Sequence, residues 1–164
     1  MSILFVAVQL SDEMKKAVTA SLHDLKKQGV KGNYVPAANL HLTLAFIGET
    51  SDIAGVKAAL SGVKYKPFRL TFSDMGAFGD LLYVGAKGNQ GLSQAVKAVR
   101  GALDEAGISY DKKKFVPHIT VIRKASGFRS KMDAPKGEMP VSRISLMKSE
   151  EKNGRRVYTE IFSI

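Results

Sequence analysis

Cysteine is absent from the 164 residues. That absence removes a disulfide framework, a thiolate nucleophile and every cysteine-based zinc site at once. Nothing then marks an oxidising compartment, and the cytoplasm is the default expectation. Long hydrophobic runs are missing too. The apolar run from Ile3 to Val8 is too short to span a bilayer and has neither a basic leader before it nor a small-residue cleavage site after it, so no membrane association is expected. Acidic residues are few: 15 Asp plus Glu stand against 25 Lys plus Arg, for a net charge of +10. That balance favours polyanionic partners such as RNA, DNA or nucleotides, although a soluble basic protein with no nucleic-acid role has the same signature. With 45% hydrophobic and 24% charged residues the composition is that of an ordinary globular chain, and the length suits one domain with a substantial core.

Histidine is also sparse, with three in the chain, and two of the three sit in matching contexts. His41-Leu42-Thr43-Leu44 recurs as His118-Ile119-Thr120-Val121; both read His, apolar, Thr, apolar. Successive side chains of an extended strand point to opposite faces, so each copy places imidazole and hydroxyl on one face and two aliphatic groups on the other.

The surrounding chain repeats as well. Ile3 to Leu10 reads as a strand, and Ser11-Asp12 with Glu13 as the start of a helix whose apolar positions Met14, Val18, Leu22 and Leu25 run to Gly29. Val35-Pro36 reads as an extended turn, Leu40 to Ile47 as a strand ended by Gly48, and Ser51-Asp52 as the cap of a helix over about 53–60. Phe68 to Phe78 and Leu81 to Ala86 form a hairpin through Gly79-Asp80. Asn89 or Ser93 begins a helix carrying Leu92, Val96, Val99 and Leu103 and closing near Gly107, and Phe115 to Ile122 is the second motif strand. Ser126 to Pro140 reads as a long surface loop, and Pro140 to Lys148 and Arg155 to Phe162 as strands around Asn153-Gly154. His41 and His118, Thr43 and Thr120, and Leu4 and Leu81 are all 77 positions apart, so strand, amphipathic helix and motif strand occur twice. The expected fold is α+β. Residues 1–164 form a single bilobal domain of two pseudo-symmetric lobes, each an antiparallel sheet with helices packed outside, with the motif strands facing a central cleft.

Two imidazoles across one cleft suit a phosphodiester reaction. One neutral ring accepts the proton of the nucleophile, and one protonated ring donates to the leaving oxygen on the opposite side. Thr43 and Thr120, on the same strand faces, are placed to donate to non-bridging phosphate oxygens. This chemistry requires no metal. Histidines on separate strands, without cysteine or an obvious acidic partner, make a poor ligand set for a metallohydrolase.

The stretches Asn39 to Gly48 and Phe115 to Val121 resemble the paired motifs of the two-histidine phosphoesterases, and within them the RNA 2′,3′-cyclic phosphodiesterases, also called 2′-5′ RNA ligases. The resemblance takes in Tyr34-Val35-Pro36, Arg123 and the Leu146 to Tyr158 hairpin with Ser149. It implies hydrolysis of a terminal 2′,3′-cyclic phosphate to a 2′-phosphomonoester without a metal or organic cofactor, with His41 as proton donor to the departing 3′ oxygen, His118 as the base that activates water, and both threonines holding the phosphate. The implied partner is RNA or a nucleotide bearing that cyclic phosphate, and a monomer is expected. Asn33 and Gly79-Asp80 stand where the family often carries arginine, which alters contacts to the nucleotide rather than the reaction type.

Around the motifs, Arg123 lies an odd number of residues beyond His118 and reaches the cleft only if the strand twists or bulges. Tyr34 is a candidate base-stacking residue, as are Phe78 and Tyr83, and Lys112-Lys113-Lys114 runs into the second motif. His23 reads as a surface residue. Two alternatives stay open: a related phosphodiesterase acting on a 2′-5′ oligonucleotide or an ADP-ribose cyclic phosphate, and a non-catalytic basic RNA-binding module.

Overall fold

The computed structural model describes residues 2–164. The chain opens with strand β1 (Ser2–Gln9) and helix α1 (Asp12–Lys27). Ser11 caps α1 by accepting the Met14 N–H at 3.3 Å, and Asp12 and Glu13 at the start and Lys26 and Lys27 at the end complement the helix dipole. Met14, Val18, Leu22 and Leu25 are buried, which is the stripe the spacing predicts. Strand β2 (Lys31–Tyr34) and a short 3₁₀ turn (Ala37–Asn39) lead into β3 (His41–Thr50), followed by α2 (Ile53–Ser61), capped by Asp52. Then come β4 (Phe68–Phe78), β5 (Leu81–Ala86), α3 (Gln90–Glu105) and β6 (His118–Ser126). Asn89, not Ser93, caps α3, accepting the Leu92 N–H at 2.8 Å. The chain closes with β7 (Glu138–Val141), β8 (Ser145–Lys152) and β9 (Arg155–Ser163).

The strands form two antiparallel sheets, ordered β3-β1-β8-β9 and β2-β6-β5-β4-β7. Each motif strand pairs with the strand that begins its repeat, β3 with β1 and β6 with β5. The outer strands are exchanged. β2, from the first repeat, edges the second sheet beside β6, while the C-terminal β8 and β9 complete the first sheet. Helix α3 follows a strand of the second sheet yet packs on α2 and reaches β3 of the first as well as β4. One continuous apolar core accordingly joins Leu42 and Leu44 of β3 to Ile119 and Val121 of β6, all of them fully buried.

Several boundaries differ from the sequence expectation for physical reasons. Pro140 to Lys148 is not one strand: β7 pairs with β4 in the second sheet and β8 with β1 in the first, so the chain crosses between sheets over 142–144. Pro140 lacks an N–H and is tolerated because β7 is an edge strand. Gly48 does not end β3. It adopts φ +85 at a register shift against β1 and lets the strand bend onward to Thr50. β6 begins at His118, directly after Pro117, and runs on to Ser126. Four-residue β2, mostly exposed and without apolar alternation, carries no strand signal.

Candidate active site

The two motif strands share a bulge as well as a sequence. On β3, Ala45 and Thr43 stand opposite consecutive residues Val6 and Ala7, so Leu44 is extra. On β6, Ile122 and Thr120 stand opposite Leu82 and Tyr83, so Val121 is extra. The bulged residues are again 77 positions apart, and each leaves two consecutive buried residues, Leu44-Ala45 and Val121-Ile122. An extra residue reverses the alternation beyond it. Phe46 and Arg123, five residues after each histidine, are thereby returned to the histidine face, which supplies the bulge that a substrate role for Arg123 requires.

Each imidazole is held by the same backbone device. His41 Nδ1 lies 2.7 Å from the carbonyl of Asn39, and His118 Nδ1 lies 2.7 Å from the carbonyl of Val116, two residues back in each case. A carbonyl only accepts, so Nδ1 carries the proton and Nε2 is left as the working atom of both rings. Aromatic rings brace both. Phe5 and Tyr158 stand 4.7 Å and 5.3 Å from His41, and Phe78 and Tyr83 stand 5.3 Å and 5.6 Å from His118. Gly76, paired with Tyr83, leaves room for that ring: a Cβ there would come within 2.6 Å of it.

The two sites differ in their surroundings. His41 Nε2 accepts from the Thr43 hydroxyl at 2.9 Å. Burial pushes the His41 pKa down to about 4, opposed by the Asn39 carbonyl and reinforced by electrostatic repulsion from Arg123 and, whenever that ring is protonated, from His118. His41 is therefore neutral at pH 7 in the empty cleft, and a proton-donor role requires a bound anion that raises its pKa so that it takes a proton from solvent. Thr120 is half-buried on β6, two residues beyond His118 and opposite Tyr83.

The two motifs line shared space. Thr43 and Phe46 of β3 border a cavity of about 540 Å³ together with His118, Phe78, Arg100, Lys113 and Lys114. A smaller hollow of about 130 Å³ joins His41, Thr43 and Phe46 to Arg123, Ser149 and Tyr158. Tyr34 is not among the residues lining either. It pairs with core residue Ile122, its hydroxyl donates to the Val30 carbonyl at 2.6 Å, and Lys26 stands 5.0 Å over its ring. Its neighbour Asn33, paired with Arg123, takes the cleft-side register instead. His23 is exposed on α1.

Three residues escaped the sequence reading. Phe5 and Tyr158 carry no sequence signal that separates them from ordinary strand aromatics. Arg100 did carry one, because it falls four residues after Val96 and three before Leu103, on the apolar stripe of α3. Its Nε donates to the Leu44 carbonyl at 3.1 Å and its Nη1 to the Lys113 carbonyl at 2.9 Å. The Asp111 N–H adds a bond to the Phe46 carbonyl at 2.8 Å, so the loop entering β6 is fastened to β3. Among the described residues, no group of three or more His, Cys, Asp or Glu side chains is arranged to hold a metal ion, and no helix is long and apolar enough to cross a membrane.

Residues 15–153 match the model of the 2′-5′ RNA ligase superfamily. An RNA 2′,3′-cyclic phosphodiesterase of Archaeoglobus fulgidus is 34% identical over 128 residues, covering 73% of this chain and 71% of that one. The RNA 2′,3′-cyclic phosphodiesterase of Escherichia coli is 31% identical over 168 residues, covering 96% of this chain and 93% of that one. Among solved structures, E. coli LigT in complex with 3′-AMP superposes with a TM-score of 0.85 at 28% identity, covering 99% of this chain and 97% of that one.

Proposed function

The chain belongs to the 2′-5′ RNA ligase superfamily, and on that premise we propose that it hydrolyses RNA 2′,3′-cyclic phosphate ends to 2′-phosphomonoesters by paired imidazole catalysis. The observation that carries the reading is the shared bond from each histidine Nδ1 to the carbonyl two residues back. It fixes the tautomer of both rings and leaves Nε2 as the working atom of each, with His118 on the larger cavity and His41 on the smaller hollow, both bordered by Thr43.

In this mechanism His118 Nε2 takes a proton from water as the water oxygen attacks phosphorus, and the phosphorus to 3′-oxygen bond breaks as protonated His41 Nε2 donates to that oxygen. His41 takes that proton from solvent as the substrate binds, because a phosphate monoanion beside the ring raises its pKa and offsets the burial that keeps it neutral. Thr43 and Thr120 donate to the non-bridging oxygens, and Arg123 neutralises charge that grows in the pentacoordinate transition state. Tyr34 acts at most by holding β2 against α1 beside the cleft. We read the chain as one bilobal catalytic unit that acts as a cytoplasmic monomer, with RNA or a nucleotide as its partner.

The test is a panel of nucleoside and oligonucleotide 2′,3′-cyclic phosphates incubated with the protein in excess chelator and followed by phosphorus NMR. A 2′-phosphate product is expected. A 3′-phosphate product would overturn the assignment of the leaving oxygen, and complete loss of activity with chelator would overturn imidazole-only catalysis.

A further inference from the structure

Three large hydrophobic side chains stand well exposed among the described residues: Phe46 at 47%, Phe78 at 46% and Val116 at 43%. One exposed apolar residue is ordinary on any protein surface. These three come from β3, from the end of β4 and from the loop before β6, and all border the same 540 Å³ cavity beside His118. A rimmed apolar patch of this kind marks a binding surface. Tyr83 backs the Phe78 ring at 4.5 Å, so that ring is braced while its exposed part borders the cavity.

The same cavity carries cations. Lys113 and Lys114 line it with Arg100, against one acidic neighbour, Asp111. Lys113 stands 4.0 Å from Asp111 with its side chain 88% exposed, so that pairing leaves its charge largely available. Arg100 is bonded to the backbone of the loop that carries both lysines. Aromatic surface next to the working imidazole, with solvent-exposed ammonium groups beyond it, matches a nucleobase followed by a phosphodiester.

Resting on the function proposed above, we propose that this groove holds the chain of the substrate. The terminal nucleobase lies against Phe46 and Phe78, and the phosphodiester on its 5′ side is bound by Lys113 and Lys114. The connectivity of the substrate sets the direction. A 2′,3′-cyclic phosphate uses both lower ribose oxygens, so an RNA leaves the catalytic phosphate only through its 5′ oxygen. The hollow on the His41 side is much smaller, about 130 Å³, and is walled by Ile3, Phe5 and Tyr158, so the larger groove suits a further nucleotide better. The groove beside His118 is the exit, and it makes an oligonucleotide a better substrate than a mononucleotide.

The experiment compares adenosine 2′,3′-cyclic phosphate with the dinucleotide ApA ending in the same group, on the intact protein. The wild type is expected to favour the dinucleotide by roughly tenfold in kcat/KM, carried by KM. The Lys113→Ala/Lys114→Ala variant should bring that ratio close to one. Phe78→Ala should raise KM for both substrates by roughly tenfold through loss of stacking. A charge-matched variant, Lys16→Ala/Lys27→Ala, removes two exposed lysines from α1 and should keep the ratio. An unchanged ratio in the Lys113/Lys114 variant overturns the proposal, and so does an equal fall in the α1 variant, which would mark a bulk charge effect. If neither substrate is hydrolysed, the activity reading fails, and the groove is then judged by anisotropy with a 5′-labelled ApA carrying a 2′-phosphate. Weaker binding in the Lys113/Lys114 variant than in the α1 variant sustains the groove, and equal binding refutes it.

Discussion

Arg100 of α3 donates from Nε to the carbonyl of Leu44 at 3.1 Å, and Leu44 is the bulged residue of the first motif strand. The same guanidinium reaches the Lys113 carbonyl, five residues before His118. One planar group thus ties the first motif strand to the loop that enters the second, which no other cationic side chain reproduces with two donors in fixed geometry. Arg100→Met should cost about 1–3 kcal/mol of stability by leaving two carbonyls without their charged partner. It should also lower kcat more than it raises KM, because the imidazoles lose their relative placement. Arg100→Lys should recover stability more fully than kcat. Urea unfolding and steady-state kinetics on both variants decide the matter; wild-type kcat in Arg100→Met would show that the tie does not set the site.

The matched Nδ1 bonds make a prediction about non-additivity. His41→Ala and His118→Ala should each lower turnover of a cyclic phosphate by roughly 10²–10⁴. The double variant should fall little further, because each histidine works only in the presence of the other. A double variant slower by the product of both single effects would mean that the two rings act independently.

These relationships were unevenly legible in the sequence. The repeat, both motif strands, the caps at Ser11, Asp52 and Asn89 and the hairpin at Gly79-Asp80 follow from periodicity and turn chemistry, which are local. What escaped is non-local. Strand β2 owes its existence to pairing with β6, where Gly32 is needed because a Cβ would come within 2.7 Å of Ile122. The break between β7 and β8 arises because Val141 and Ser145 are buried in different sheets. The bulges at Leu44 and Val121 leave only two adjacent aliphatic residues as their trace. The face taken by Arg123 is accordingly set by the register of β6 and not by residue spacing alone.

The low pKa of His41 implies that anion binding and proton uptake are linked. Free His41 titrates at about 4 and stays neutral between pH 5 and 7, whereas a bound phosphate anion favours the imidazolium. Affinity for a 2′-nucleotide should therefore rise as pH falls from 7 toward 5, by up to about tenfold per unit. Calorimetry in buffers of different ionisation enthalpy should register uptake of up to one proton, and the His41 ring resonance should titrate at higher pH with ligand than without. Binding that releases protons or ignores pH would contradict the proposed source of the catalytic proton.

The same residue affects stability in the absence of ligand. In the unfolded chain His41 takes a proton near its ordinary value of 6.5, but in the folded protein only near 4. Between those values the unfolded state binds more protons, so stability falls as pH drops through that window, and the loss is complete below about 4. The full contribution is on the order of 3 kcal/mol. His41→Gln lacks it, while every carboxylate that titrates in the wild type titrates in the variant too. Urea unfolding at pH 7 and pH 4.5 should show the wild type losing more stability than His41→Gln, and equal losses would mean that burial does not hold the imidazole neutral.

Phe46 and Arg123 occupy equivalent places after equivalent bulges, yet one is apolar and the other cationic, so a symmetric scaffold should divide its labour between them. Arg123 shares the hollow of His41 and bears on its titration, which in the proposed mechanism puts its charge where the phosphate gains negative charge. Arg123→Gln should lower kcat by roughly 10²–10³, the scale of losing one donor to a developing oxyanion, and should raise the His41 pKa by removing a cation. Arg123→Lys keeps the charge without the planar fork, so it should leave the His41 titration near that of the wild type while recovering only part of kcat. Phe46 borders both cavities and offers apolar surface alone, so Phe46→Ala should act mainly on KM. Kinetics on the three variants, with the His41 resonance followed by NMR, separates charge from packing. An Arg123→Gln variant with wild-type kcat and an unmoved His41 titration would mean that the bulge at Val121 serves only to fit the strand into its sheet.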